Sequence, residues 1–248
     1  IPLYSQNRII ILGKSITEEN MDDVIDFFVR DVENSSSVCI AAAEETAGEI
    51  LKTKNGEEYI SARNIEIAIN SSEYDARIFR MQLYELINRY NSSTKDFAIP
   101  LLSVVERDKE KSVEITGTAL FNNTKYREKI SKEETVFLNI LYDRLNNTAL
   151  AYDYEEGKKV SLNIVEAKIK RKVQLKDGKP SFKIMIKLKV DIAEINGGVS
   201  SKMETEEINR ISKAGESFVK NETDKLIYKM YNGYNSDAVG FGRLIYIN

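Results

Sequence analysis

From Ser181 to Glu194 the apolar residues fall on every second position: Phe182, Ile184, Ile186, Leu188, Val190 and Ile192. Lys183, Lys187, Lys189 and Asp191 take most of the positions between them. Alternation with a period of two predicts a half-buried strand. Asp177-Gly178 stands just before it, a dipeptide suited to a tight hairpin because both residues tolerate positive φ. Val160 to Val173 is also strand-like, and its apolar phase slips from even to odd positions at Ile164-Val165. A β-bulge there would produce that slip. The two strands form one long antiparallel ribbon. A ribbon alone is marginal in water and needs a cover for its apolar face. The helix expected over about 205–231 is the natural cover, with Ile208, Ile211, Phe218, Leu226, Ile227 and Met230 at helical spacing.

The rest of the chain alternates between the two periods. Arg8 to Gly13 reads as a buried strand, Ser15 offers helix-capping chemistry, and residues 18–31 form an amphipathic helix. Val38 to Ala43 favours a short strand and Ala47 to Lys52 a helix, so this region is an α/β layer. Ser61 caps a helix running to Ile69, and a long helix is expected over Glu73 to Tyr90. Asn91-Ser92-Ser93-Thr94 is the clearest linker-like patch. Phe97 to Val105 is extended, with Pro100 arguing for an edge position. Val113 to Phe121 is a further strand. Ser131-Lys132-Glu133-Glu134 is a capping box opening a helix to about Leu145. Residues 152–159 read as polar, with a turn at Gly157. The expected architecture is multi-domain, α/β and α+β: an N-terminal α/β domain over 1–93, a small middle strand-strand-helix domain over 94–150, and a C-terminal α+β domain over 151–248.

Composition narrows the functional classes. The chain has 248 residues, 42% hydrophobic and 30% charged, with a net charge of −3. That is ordinary for a globular protein and gives no reason to expect nucleic-acid binding. There is no His, which removes the commonest general base, the commonest metal ligand and every Ser-His or Cys-His pair. Cys39 lies in an apolar setting with no cation beside it, so an inert thiol is expected. No apolar run approaches the ~18 residues of a membrane span. The chain opens on Ile1-Pro2, which reads as a fragment or processed form.

Each chemical signal has a plain alternative. Asp22-Asp23, Glu44-Glu45 and Glu133-Glu134 are sequence neighbours, which do not face one another on a helix, so none is a carboxylate dyad. Gly240-Phe241-Gly242 lacks the third Gly and the Lys of a phosphate loop, and close backbone packing is the better reading. Lys168, Lys170, Arg171 and Lys172, with Lys183, Lys187 and Lys189, make the ribbon basic. They form either a solvated face or a surface for anionic headgroups or an acidic partner, where each cation near a membrane adds about 1 kcal/mol. Tyr228, Tyr231 and Tyr234 mark either an interface or a helix end packed on a sheet.

Six segments in order carry a family resemblance. They are Asp26-Phe27-Phe28-Val29-Arg30-Asp31; Tyr84-Glu85-Leu86-Ile87-Asn88; Ala98-Ile99-Pro100-Leu101-Leu102; Gly117-Thr118-Ala119-Leu120-Phe121 followed by Ile130 to Thr135; Gly178-Lys179-Pro180; and Asp237-Ala238-Val239-Gly240-Phe241-Gly242. Together they resemble the C-subunit family of spore nutrient-germinant receptors, often written Ger(x)C. The chain departs from that pattern where Glu128-Lys129 replace a Gly-Trp pair, in having no Trp, and in lacking the family's N-terminal signal peptide and lipid-modified Cys.

The resemblance implies a lipoprotein on the outer face of the spore inner membrane. It would act beside two integral membrane subunits, A and B, in nutrient sensing and germination, with no catalytic activity, cofactor or metal. A candidate interaction surface then comprises Lys183, Lys187, Lys189, Tyr231, Tyr234 and Phe241. The alternative function is a soluble nutrient-binding protein that captures the germinant in an inter-domain cleft.

Overall fold

Two main sheets, a small two-stranded one and eight α-helices carry the described part of the chain. The structure, a computed structural model, describes residues 7–30, 36–55, 58–59, 62–145, 148–177, 179–195 and 203–247. The first sheet has five strands in the order β1-β2-β5-β6-β7. These are β1 (Ile9–Leu12), β2 (Cys39–Ala43), β5 (Phe97–Arg107), β6 (Glu110–Asn122) and β7 (Lys125–Ile130). β1, β2 and β5 pair parallel, and the β5–β6 and β6–β7 pairs are antiparallel. A two-stranded ladder, β3 (Lys54–Asn55) with β4 (Glu58–Tyr59), lies between helices. The second sheet, in the order β10-β9-β8, joins β8 (Thr148–Glu155), β9 (Lys158–Lys176) and β10 (Lys179–Ile195). The helices are α1 (Lys14–Glu18), α2 (Asp22–Arg30), α3 (Ala47–Lys52), α4 (Ala62–Asn70), α5 (Leu83–Tyr90), α6 (Lys132–Leu141), α7 (Thr205–Tyr228) and α8 (Phe241–Ile247). The mixed α+β class read from the sequence holds.

The local signals explain most of these elements. Lys179 pairs with Lys176 across the β9–β10 turn, and Asp177 has φ 53. Lys189 faces Glu166 while Val190 faces Ile164, so Val165 is the extra residue of a bulge at the expected phase slip. Ser131 caps α6 with a full capping box: its hydroxyl accepts from the Glu134 N–H, and the Glu134 carboxylate accepts from the Ser131 N–H. The helix stops at Leu141, short of the expected Leu145.

Other expectations are corrected. Ser15 caps nothing: α1 opens at Lys14, and α2 is capped instead by Asn20, whose Oδ1 accepts from the Asp22 N–H. The long helix over Glu73 to Tyr90 is absent; a 3-10 turn at Ser71–Glu73 and an extended stretch precede α5. Phe79 and Met81, two residues apart, are both fully buried. The Ile40 N–H bonds to the Met81 carbonyl and the Leu83 N–H to the Val38 carbonyl, so this stretch pairs with the start of β2. Tertiary pairing overrides helix propensity here.

Pro100 lies in a central strand, not at an edge. β2 takes up β5 only at Leu101 and Leu102, and the missing proline donor sits before that ladder begins. Two strands read as polar or left unassigned, β7 and β8, are sheet edges with charged outward residues, Arg127 and Glu128 in β7 and Asp153 and Glu155 in β8.

The five-stranded sheet continues across residues 93–94, where a domain boundary was expected, since β2 pairs with β5. One apolar core runs from Ile10 through Phe97 and Leu138 to Ile164 and Phe241.

Candidate functional site

The ribbon presents two chemically opposite faces, and the register fixes what lies on each. On the outer face Lys172 pairs with Lys183, Lys170 with Met185, Lys168 with Lys187, and Glu166 with Lys189. All eight are exposed. Six lysines therefore share one face with two carboxylates, Glu166, which bonds Lys168 at 2.6 Å, and exposed Asp191, two residues beyond Lys189. Like charges directly opposite one another destabilise a strand pair, so this arrangement costs folding energy. Arg171, grouped with these lysines in the sequence, turns inward beside Ile184; burial and the neighbouring Arg89 lower its pKa.

The inner face is apolar but not closed. α7, expected to cover it, packs on β8 and α6 instead. Tyr152 of β8 stacks on Phe218 at 5.3 Å, and its hydroxyl donates to the Ile211 carbonyl at 2.9 Å. Gly215 permits this approach, because a Cβ there would lie 2.5 Å from the Tyr152 hydroxyl oxygen. Burial pushes the Tyr152 phenol up to about 12. Phe137 of α6 meets Phe218 at 5.9 Å. Anchored on that side, α7 stands off from β10, and a groove of about 1250 Å³ opens between them. Phe182, Ile184, Ile186 and Leu188 line it half-buried, and Val190 is 38% exposed.

The end of the groove is closed by a hydrogen-bonded knot. α7 passes into a π turn at Lys229–Gly233, and the chain turns back through Ser236 and Asp237 into α8. The Asp237 carboxylate accepts from the N–H groups of Gly240, Phe241 and Gly242 at 3.1, 2.8 and 2.7 Å, and from the Tyr231 hydroxyl. Its own N–H donates to buried Asp96 at 2.6 Å. Burial raises the Asp96 pKa above its ordinary value although it accepts from Asp237 and Asn123. Burial, with the Asp237 charge, also raises that of Tyr231.

The six residues of the expected surface thus divide. Lys183, Lys187 and Lys189 share the outer face. Phe241 is 4% exposed, stacked between Phe182 at 5.2 Å and Tyr231 at 6.0 Å. Tyr231 and Tyr234 are half-buried against the core. The Gly-Phe-Gly segment packs: Gly240 has φ +83, and a Cβ on it would collide with the Arg89 guanidinium.

A second, polar cleft of about 470 Å³ was not read from the sequence. Glu73, Tyr74, Arg80, Asn139, Asp143 and Arg144 line it, with Val165 at its rim. These residues come from three separate stretches of chain, and no spacing signal connects them. Arg144 is held by Glu85 and the Arg80 carbonyl, and Arg80 lies 3.5 Å from Glu73. Cys39 is buried, and burial raises its pKa, which makes it an inert thiol. Among the described residues no group of three or more His, Cys, Asp or Glu side chains could hold a metal, and no helix is long and apolar enough to cross a membrane.

The comparisons agree with this architecture. The crystal structure of the GerBC protein superposes with a TM-score of 0.75, covering 100% of this chain and 71% of that one at 19% identity, which is a likeness of fold. Spore germination protein B3 of Bacillus subtilis (strain 168) is 22% identical over 241 residues, 96% of this chain and 64% of its own length. Spore germination protein YndF of the same organism is 23% identical over 248 residues, 94% of this chain and 57% of its own length. The chain therefore spans about three fifths of these curated relatives. The model described as spore germination protein N-terminal domain matches residues 1–104, and the one described as spore germination B3/GerAC like, C-terminal, matches 116–248. With more than half of its length matched by the second, and nearly all by the two together, the chain belongs to the spore germination B3/GerAC-like family.

Proposed function

We propose that this chain is a non-catalytic contact subunit of a spore germinant receptor, working beside the A and B integral membrane subunits. In this reading the full-length protein is held by an N-terminal lipid anchor on the outer face of the spore inner membrane. It senses nutrients only as part of that complex and has no chemistry of its own. The observation that carries the reading is the outer face of the ribbon, where six exposed lysines outnumber two carboxylates, Glu166 and Asp191. A face that costs folding energy by like-charge pairing is explained by an anionic surface that it meets. Lys187→Glu with Lys189→Glu in the full-length protein should weaken co-purification with the A and B subunits and slow germination, while the exposed positions leave the fold intact. Unchanged assembly and germination would overturn the proposal.

The polar cleft supports a second reading, capture of the nutrient by this subunit itself. Arg80, Asp143 and Arg144 offer both charge signs to a small zwitterion. Thermal shift against amino acids, sugars and nucleosides separates the two. A saturable response abolished by Arg80→Ala supports capture, and silence across all classes supports the contact subunit.

A further inference from the structure

We propose that β10 is a docking edge for an extended segment of a partner protein in which acidic and apolar residues alternate. The inference rests on the contact-subunit reading and names the chemistry of the contact. β10 runs for 17 residues along the edge of its sheet and, among the described residues, pairs only with β9. One row of its backbone N–H and C=O groups is therefore unpaired, the template that strand addition uses. Its inner side chains, Ile184, Ile186 and Leu188 among them, look into the groove under α7. At about 1250 Å³ the groove exceeds the ~300–1,000 Å³ of small-molecule sites.

A helix or an acyl chain laid in that groove would cover the apolar face and leave the edge unpaired. A strand added to β10 meets both needs. Its backbone completes the ladder, and every second side chain drops into the groove. Its remaining side chains fall beside Lys183, Lys187 and Lys189 on the outer face, where carboxylates complement them. The same lysines work against a second copy of this chain, because pairing two β10 edges gathers both lysine rows on one face.

The test uses a labelled, end-blocked ten-residue peptide alternating Glu and Val, and a control of the same composition with five Glu followed by five Val. Fluorescence anisotropy with the full chain should give at least tenfold tighter binding for the alternating peptide. Hydrogen exchange should show new protection on β10 amides. Lys183→Glu, Lys187→Glu and Lys189→Glu together should reduce that binding at least tenfold and confer binding of an alternating Lys-Val peptide. Circular dichroism confirms that this variant is folded. Equal binding of both peptide orders, protection elsewhere, or no binding at all overturns strand docking. So does self-association through β10, or displacement of the peptide by a fatty acid. If the peptide fails while Lys187→Glu with Lys189→Glu still disrupts receptor assembly, the contact-subunit reading stands and strand docking alone falls.

Discussion

At the scale of single residues, the Asp96–Asp237 knot carries the sharpest consequences. Asp96 is 2% exposed and accepts from the Asp237 N–H at 2.6 Å and the Asn123 N–H at 2.8 Å. Its folded pKa is raised by burial above the ordinary 3.8. A raised acid binds its proton more tightly folded than unfolded, so its contribution to stability is full below 3.8 and is lost as pH rises through the folded value. Asp96→Asn removes that titration. In urea melts the stability of the wild type relative to Asp96→Asn should therefore fall as pH is raised from about 3.5 towards neutrality. A difference that grows with pH would contradict the assignment. Gly240→Ala forces a side chain onto φ +83 and into Arg89, whose Nη2 donates to the Val239 carbonyl at 3.1 Å. It should cost about 1–3 kcal/mol in the same melts. The sequence displayed Asp237, Gly240 and Gly242 as a motif with a packing role. Asp96 stood unassigned between the linker-like Asn91 to Thr94 and the strand from Phe97, and its partner lies 141 residues away.

At the scale of elements, legibility followed the strength of the period. The β9–β10 ribbon, its bulge at Val165 and the capping box of α6 could be read directly, since each is written within a few residues. The stretch before α5 could not be, because tertiary contacts hold it extended. Asn139 of α6 donates to the carbonyls of Ala76 and Ile78 at 2.8 and 2.9 Å, and Thr148 accepts from the Ala76 N–H at 3.3 Å. Asn139→Ala leaves the buried Ala76 carbonyl and the partly buried Ile78 carbonyl without this donor and should cost about 2–3 kcal/mol. The loss should be accompanied by faster hydrogen exchange across residues 76–83, including the Leu83 amide that bonds to Val38. Unchanged exchange there would show that the stretch is held by its pairing with β2 alone. α7 was legible as a helix, but its seat was not. A Gly in mid-helix reads as a weak point, and only the fold reveals Tyr152 lying against it.

At the scale of the whole molecule, the boundaries expected from the sequence followed the polar breaks, while the core ran through them. Asn91 to Thr94 is polar because it is a surface turn, and the strands on either side of it belong to one sheet. The basic character of the ribbon was visible as composition. Its division into an outer row of lysines and an inward Arg171 needed the register. The groove is a property of no segment, since it exists because α7 is anchored to β8 and leaves β10 half covered.

The central claim is that the lysine face of the ribbon meets the other receptor subunits. The most direct measurement is photo-crosslinking in spores from a reactive residue placed at position 187 of the full-length protein, with position 107, at the exposed end of β5, as the control. Adducts with the A or B subunit should form from position 187 and none from position 107. Adducts from 107 alone, or from neither position in spores that germinate normally, would contradict that claim.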